Sequence, residues 1–390
     1  MKLLKTLAVA TATIFAAIAV GGPVRAADPV KIGLILPMSG PFASTGKQID
    51  AAVKLYIKTH GDTVAGRKVE VILKDDTGTA PDVTKRQAQE LIVNDKVDIL
   101  AGFGLTPLAF AVAPLSEEAK KPMIVMAAAT SAITTKSPYI LRTSFTLPQV
   151  TLGVADWAAK NGIKKVYILV TDYGPGIDAE TQFKKTFTAG GGEIVGSARI
   201  PLKNPDYGPF MQRAKDAAPD AVFAFVPSGE GTGFMKEFAE RGLAKAGVKL
   251  IATGDVLDDD ILDAMGDPAL GVISSHHYSA AHKSKENLQY VADFQKANPG
   301  MRPNFMSVGG WDGMALIYQV LEKTKGDASG DKFLAAAKGM SWMSPRGPVS
   351  IDADTRDITQ TVYIRKVERI DGHLYNVEFS QLDNVKDPGK

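Results

Sequence analysis

The 390-residue chain has no cysteine. It therefore has no disulfide framework, no thiolate metal site and no cysteine nucleophile. The chain also lacks an excess of charge of either sign, because it has 45 Lys and Arg residues and 43 Asp and Glu residues. A net charge of +2 gives no basic footprint for nucleic acid. The composition, with 45% hydrophobic and 23% charged residues, is that of a globular protein and excludes a disordered chain or a multispan membrane protein.

Motifs of the common enzyme classes are also missing. The chain contains no GxxxxGK[ST] phosphate loop, no GxSxG elbow and no HExxH metal motif. Gly229-Glu230-Gly231 resembles the start of a dinucleotide turn, but Phe234 stands where the third glycine belongs. His276 and His277 are adjacent, so in a strand they point to opposite faces and cannot chelate one metal together. The sequence predicts a protein that is not an enzyme and has no cofactor and no metal.

The N-terminus predicts export. Lys2 and Lys5 precede Leu7–Val20, an uncharged and mostly apolar run of 14 residues, and Val24 and Ala26 are small residues of the kind that a signal peptidase reads. The run is shorter than the roughly 20 residues that span a bilayer, which argues against a membrane anchor. We therefore predict a signal peptide over residues 1–26 and a periplasmic location. Its removal leaves a net charge of −1.

The rest of the chain alternates strand and helix patterns. A first series of βα units runs from Lys31–Leu36 to Met123–Ala127, and a second series of similar length runs from Lys165–Val170 to Lys249–Thr253. Repeated βα units predict parallel sheets covered by helices on both faces. The length exceeds one ordinary core, so we predict an α/β protein with two Rossmann-like, doubly wound lobes. Near the C-terminus, Asp371-Gly372 between two strand patterns predicts a hairpin turn.

The loops at the predicted carboxyl ends of the strands are rich in Gly, Ser, Thr and Pro. Six such loops lie at 37–46, 102–107, 127–135, 171–176, 227–233 and 254–260. Ligands of open α/β sheets bind at this edge, where free N–H groups and helix N-termini favour an anion. Each loop alone would equally serve as an ordinary turn or cap. Together they predict a shared cleft that holds a carboxylate without Arg or Lys.

Several segments carry a family resemblance by their order and spacing. They are KIGLILPMSGPFASTGKQIDAAVKLYI, VILKDD, VDILAGFGLTPLAFAVAPLSEEAKKPMIVMAAATS, VYILVTDYGPG and MSVGGWDGMALIYQVLEK. The chain resembles the periplasmic solute-binding proteins of branched-chain amino acid ABC transporters, which have the type I periplasmic-binding-protein fold. The resemblance implies two lobes that close on a ligand about a hinge of three crossings. It places 28–147 plus 278–352 in the first lobe and 148–277 plus 353–390 in the second.

The resemblance also implies site residues in the first lobe. The amino acid binders of this family hold the ligand carboxylate with a hydroxyl and a backbone N–H after the third strand, where this chain has Gly104 and Thr106. A backbone carbonyl and a Thr follow the next strand, which corresponds to Ala128, Ala129 and Thr130.

Further candidates surround this carboxylate site. Tyr173 matches the tyrosine that covers the ligand from the second lobe, and Phe103 is a candidate for an aromatic wall. Core packing is the alternative for both aromatic residues, and it fits Phe103 better than Tyr173. Ser44 and Thr45 fall where some relatives carry a bulky side chain, which implies a roomier pocket.

The ligand class stays open between two alternatives. Amino acid binders pair the ligand ammonium with a second-lobe carboxylate, and Glu230 and Asp255 are the candidates here, although neither aligns convincingly. A buried ammonium without such a partner is costly. The family also includes binders of aromatic or aliphatic acids that lack an ammonium. We expect a hydrophobic, branched-chain amino acid, with an aromatic carboxylic acid such as benzoate or phenylpyruvate as the alternative.

The resemblance implies the biological role and its partners. The first hypothesis is the binding component of an ABC importer, which delivers its solute to a membrane permease and works as a monomer. The second is a ligand sensor of the same fold that reports to a membrane receptor. An exported hydrolase is disfavoured, because no nucleophile with a base in reach is recognisable.

Overall fold

The computed structural model describes residues 28–390. The predicted signal peptide, residues 1–26, lies outside this range. The first of two sheets is formed by β1 (Val30–Leu36), β2 (Thr63–Val64), β3 (Arg67–Asp75), β4 (Ile99–Gly102), β5 (Met123–Val125) and β6 (Ile140–Arg142). Its strand order is β2-β3-β1-β4-β5-β6, and all pairs are parallel except β2 with β3. The order in which strands are added to the sheet therefore reverses at β1. This switch leaves a crevice at the carboxyl ends of β1 and β4.

The second sheet contains nine strands. They are β7 (Lys165–Thr171), β8 (Glu193–Ile200), β9 (Ala221–Phe225), β10 (Lys249–Thr253), β11 (Ile273–His276), β12 (Ser341–Ser344), β13 (Gly347–Ile351), β14 (Ile358–Ile370) and β15 (His373–Val385). The order is β12-β13-β14-β11-β10-β9-β7-β8, and β15 pairs with β14. Strands β7 to β11 are parallel, and β12 to β15 add an antiparallel edge. The predicted hairpin is confirmed, since Asp371 and Gly372 have φ angles of 50° and 87° between β14 and β15.

Eleven α-helices of residues 28–390 cover the two sheets. They are α1 (Ala43–His60), α2 (Pro81–Val93), α3 (Thr106–Glu118), α4 (Leu147–Lys160), α5 (Gly174–Ala189), α6 (Gly208–Asp216), α7 (Gly231–Glu240), α8 (Leu262–Met265), α9 (Lys285–Ala297), α10 (Phe305–Thr324) and α11 (Gly330–Ala337). Helices α1 to α3 and α9 to α11 belong with the first sheet and form the first lobe. Helices α4 to α8 belong with the second sheet and form the second lobe. Within this described part, no helix has the length and apolar character that crossing a bilayer requires.

The predicted α/β class is confirmed, with parallel strands buried on both faces. All five residues of β9 (AVFAF) are buried, which is the pattern expected for a central parallel strand. Strand β10 has the predicted bounds, Lys249–Thr253. The helical patterns in the sequence predict starts at Gln48 for α1 and at Asp178 for α5, whereas the two helices begin at Ala43 and Gly174. Both early starts lie in loops rich in Gly, Pro and Ser, whose composition hides the first helical turn.

Three segments cross between the lobes, at 143–146, 277–284 and 338–340. The third differs from the prediction, which kept 278–352 in the first lobe. Strands β12 and β13 instead pair into the second sheet, where Val349 lies opposite Gln360 of β14. Both strands are short, and Pro345, Gly347 and Pro348 interrupt their pattern. Because pairing with β14 is a long-range contact, local periodicity does not reveal it.

Buried arginines hold the crossing segments. Arg142 is fully buried, with its Nε 3.0 Å from Asp357 Oδ1, and its Nη2 donates to the carbonyl of Thr130 at 2.7 Å. Arg346, equally buried, lies 2.7 Å from Asp312 and donates to the Ser144 carbonyl at 2.8 Å. Removing one partner of such a pair leaves an uncompensated buried charge, so these contacts fix how the loops of the two lobes meet.

Candidate ligand-binding site

A narrow cavity lies between the carboxyl edges of the two sheets. Its lining consists of Phe42, Thr45, Gly104, Leu105, Thr106, Ala127, Ala128, Ala129, Phe145, Leu147, Tyr173, Pro175, Phe225, Pro227, Ser228, Asp255 and Met306. The loops after β1, β4 and β5 contribute from the first lobe, and the loops after β7, β9 and β10 contribute from the second. This is where parallel sheets place ligands.

The first-lobe wall offers neutral hydrogen-bond donors. Thr106 is the first residue of α3, and its N–H makes no hydrogen bond within the described part of the chain. The partial positive charge of the helix N-terminus therefore faces the cavity. The Thr106 and Thr130 hydroxyl oxygens lie 3.0 Å apart, and the Thr45 side chain is also buried beside the cavity. Lys and Arg are absent from the described lining residues. This wall therefore suits a carboxylate held by hydroxyl and backbone donors.

The cavity between the lobes is walled by aromatic rings. Phe42, Phe145, Phe225 and Tyr173 all line it. The rings of Tyr173 and Phe225 are nearly parallel, with centroids 6.0 Å apart and an interplanar angle of 18°. Burial raises the pKa of Tyr173 well above its ordinary value, and the Asp255 carboxylate raises it further, so the phenol stays neutral. Such walls favour a flat apolar group that stacks on or packs edge-on against the rings.

The second-lobe wall carries a buried carboxylate. Asp255 is 3% exposed, and its Oδ2 lies 3.4 Å from His276 Nε2, but without the alignment of a hydrogen bond. Burial lowers the pKa of His276 to about 4 against the opposing effect of Asp255, so the imidazole is neutral at pH 7. Ser228 donates its hydroxyl to Asp258, whose pKa is raised by burial and by the neighbouring Asp260. The Asp255 carboxylate and the Ser228 hydroxyl thus face the cavity from this side.

Direct bonds join the two lobes around the cavity. Ser44 donates to Asp260, and Asn304 Nδ2 donates to Asp258 Oδ2 at 3.0 Å. On the other side, the N–H of Ser131 donates to Asp178 Oδ2 at 2.9 Å. Each bond links one first-lobe residue with one second-lobe residue, so the structure is that of lobes closed on the cavity.

Seven of the eleven predicted site residues lie in the lining. They are Thr45, Gly104, Thr106, Ala128, Ala129, Tyr173 and Asp255. The prediction that these residues contact a ligand stays a prediction, but the structure brings them together. The other four, namely Ser44, Phe103, Thr130 and Glu230, lie outside the lining.

Each of the four residues outside the lining has another partner. Phe103 has a φ of 67° and packs fully buried in the core of the first lobe, which fits the core-packing alternative for this residue. Glu230 accepts a hydrogen bond from the Tyr207 hydroxyl at 3.1 Å, away from the cavity. Thr130 lies behind the wall and supports Thr106, and Ser44 joins the lobes.

Sequence reasoning missed most of the aromatic lining. Phe42 and Ser228 lie in loops that were singled out, so a fuller reading of those loops would have found them. Phe225 is the last residue of β9 and reads as core. Phe145 and Met306 come from a crossing segment and from α10, and only the tertiary fold brings these elements to the cavity.

Two α/β lobes joined by three crossings around a shared cavity define a bilobal binding protein of the type I periplasmic class. The comparison with known proteins agrees. The family model described as periplasmic binding protein matches residues 29–373, and the chain belongs to this family.

Relatives of known sequence or structure cover nearly the whole chain. It is 47% identical over 367 residues to the Leu/Ile/Val-binding protein homolog 6 of Brucella abortus (strain 2308), covering 93% of this chain and 94% of that one. A solute-binding protein of an ABC transporter from Rhodopseudomonas palustris BisB5, solved in complex with 3,4-dihydroxybenzoic acid, is 63% identical with a TM-score of 0.90, covering 93% and 99%. A solute-binding protein from R. palustris HaA2 in complex with p-hydroxybenzoic acid is 48% identical with the same TM-score and coverage.

Proposed function

We propose that this protein is the periplasmic solute-binding component of an ABC importer and closes on a small aromatic carboxylic acid for delivery to a membrane permease. The observation that carries the proposal is a cavity walled by four aromatic rings. At its first-lobe side it meets uncharged hydrogen-bond donors that suit a carboxylate. The relatives in complex with 3,4-dihydroxybenzoic and p-hydroxybenzoic acid support this ligand class. It replaces the branched-chain amino acid as the leading expectation.

Each part of such a ligand has a chemically matching part of the cavity. The carboxylate would bind the Thr106 hydroxyl and N–H, with Thr45 beside them, since charge-assisted hydrogen bonds to a carboxylate are the strong ones. The ring would lie between Tyr173, Phe225 and Phe145. The apolar walls bury the ring, and burial of apolar surface supplies most of the affinity of such pockets.

The lining does not support a hydrolase. Thr45, Thr106 and Ser228 are its aliphatic hydroxyls, and none of them hydrogen-bonds to a histidine of the described chain. A hydroxyl nucleophile needs such a base in reach. We infer binding and release without chemical change of the ligand.

A branched-chain amino acid is the second candidate. Asp255 is the observation that favours it, because a buried carboxylate of the second lobe is what a ligand ammonium requires. The curated relative named as a Leu/Ile/Val-binding protein homolog supports the same candidate.

The test is a ligand panel on protein that has been stripped of bound solute by unfolding and refolding. One arm holds benzoate, 4-hydroxybenzoate, 3,4-dihydroxybenzoate and phenylpyruvate, and the other holds leucine, isoleucine, valine and phenylalanine. A ligand at 100 times its Kd adds about 2.7 kcal/mol of stability, which raises the melting temperature by several degrees. We expect shifts in the first arm, and benzamide, which lacks the carboxylate, serves as the control. Shifts with the amino acids alone would establish the second candidate instead.

A further inference from the structure

One carboxylate oxygen in the cavity has no partner. Asp255 is buried in the lining, and its Oδ2 is the one fully buried side-chain oxygen of the described lining that makes no hydrogen bond. Native proteins satisfy nearly all buried polar atoms, and an unsatisfied one costs free energy. An unpaired oxygen beside an open cavity therefore points to a hydrogen-bond donor on the ligand.

The surroundings of Asp255 decide what kind of donor fits. The Arg365 guanidinium is fully buried behind the cavity, where it donates to the Ser274 hydroxyl and the Tyr278 carbonyl. Its positive charge attracts several carboxylates, of which Asp259 is the strongest and Asp255 is one. The negative charge of Asp255 is thus partly balanced within the protein. An ammonium group carries three hydrogen-bond donors. Among the buried side-chain oxygens of the described lining, only Asp255 Oδ2 lacks a partner. A hydroxyl carries one donor, which matches this single oxygen.

His276 lies beside this carboxylate without forming a hydrogen bond to it. Its ring is fully buried and packs against Phe145 and Phe305, with centroids 4.7 Å and 4.2 Å away. At 3.4 Å, its Nε2 approaches Asp255 Oδ2 without forming a hydrogen bond. His276 therefore leaves this oxygen free for a ligand.

We propose that Asp255 selects aromatic acids with a ring hydroxyl, by accepting the hydrogen bond of that hydroxyl. This inference rests on the proposed function. The donors for the ligand carboxylate lie on the first lobe and Asp255 lies on the second. The hydroxyl must therefore point away from the carboxylate across the ring, as in 4-hydroxybenzoate, and a hydroxyl beside the carboxylate, as in 2-hydroxybenzoate, does not reach Asp255.

The experiment measures Kd by isothermal titration for benzoate, 2-hydroxybenzoate and 4-hydroxybenzoate, on the stripped wild type and on the Asp255→Ala variant. A hydrogen bond to a charged group corresponds to a preference of about 10- to 100-fold for 4-hydroxybenzoate over benzoate in the wild type. In Asp255→Ala this ratio should fall to about 1, chiefly through weaker binding of 4-hydroxybenzoate. 2-Hydroxybenzoate should behave like benzoate in both proteins.

Two further variants keep the test decisive. Asp255→Asn preserves the shape of the side chain, and its neutral carbonyl should give an intermediate ratio if Asp255→Ala folds poorly. Glu230→Gln is the matched control, because Glu230 is a second-lobe carboxylate outside the lining, and the wild-type ratio should persist in it.

The outcomes separate this inference from the proposed function. If the wild type binds both acids with a ratio near 1, or if Asp255→Ala weakens both equally, the role of Asp255 is overturned and the proposed function stands. If Asp255→Ala abolishes binding of leucine and aromatic acids do not bind at all, both are overturned in favour of an ammonium site.

Discussion

The two walls of the cleft present opposite chemistry to the cavity. The first-lobe wall presents neutral donors, with Thr106 at the start of α3 and Thr45 beside it, whereas the second-lobe wall presents the buried carboxylate of Asp255. A helix N-terminus binds any carboxylate, and so the first wall recognises what all acids share. An unpaired carboxylate oxygen discriminates strongly among donors, because leaving it unmatched is costly. The comparison shows how, under the two proposals, affinity for the class and choice within the class would reside on different lobes.

The largest expected effect comes from removing the support of the first wall. Arg142→Met leaves Asp357 buried and takes away the donor that holds the Thr130 carbonyl. We expect a loss of about 3–5 kcal/mol in the free energy of unfolding, because the buried carbonyls of Thr130 and Phe145 lose their charged donor and Asp357 keeps only Lys390 as a cationic partner. Urea denaturation measures it. In the control Arg369→Met, which breaks an exposed pair with Asp267, the loss should stay below about 1 kcal/mol, and equal losses in both would refute the assignment.

The next effect breaks the first wall directly. Thr106→Val keeps the branched shape but removes the hydroxyl donor at the cavity. Binding of benzoate and of 4-hydroxybenzoate should weaken alike, by about 10- to 100-fold, because both ligands share the carboxylate. Isothermal titration of both acids gives the ratio. The exposed Thr181→Val on α5 should change neither Kd. A loss confined to one acid would show that the walls do not divide recognition in this way.

A smaller effect tests how closely the walls must approach. A Cβ at Gly174, on the second lobe, would overlap the Thr130 side chain of the first lobe. Gly174→Ala should therefore oppose closure and weaken every ligand by about 5- to 100-fold, from an overpacking cost of about 1–3 kcal/mol. Adding Thr130→Ala should restore part of the affinity. Gly233→Ala on α7 is the control, since its Cβ would meet only Tyr207 at an ordinary 3.6 Å.

The smallest effect concerns pH and sharpens the account of the second wall. Burial lowers the pKa of His276 to about 4 from 6.5, so between these values the unfolded chain binds a proton that the folded protein does not. The contribution of His276 to the free energy of unfolding is therefore fully present above pH 6.5 and is lost as the pH falls toward 4. Its slope is up to about 1.4 kcal/mol per pH unit. Urea denaturation across this window should show a shallower slope for His276→Gln. Equal slopes would mean that His276 is not buried as described.

Local patterns were sufficient for most of the fold. Continuous apolar strands such as β9 and the paired turn residues Asp371 and Gly372 carry their structure in a few neighbouring residues. Strands β12 and β13 do not, because their pairing with β14 is remote in sequence. The site follows the same division. Thr106 was recognisable through the family resemblance of its loop, whereas Phe225 and Met306 have the pattern of core residues until the lobes are assembled.

The sequence by itself determined the alternating βα order, the family, the carboxyl-edge loops and the donors that suit a carboxylate. These properties depend on residues close together in the chain. The tertiary structure alone decided that Asp255 reaches the cavity and Glu230 does not, and that Phe103 is core while Phe145 is wall. The physical reason is that both lobes build the cavity from loops far apart in sequence, so a side chain's direction and its distance from a ligand exist only once the two sheets have closed on each other.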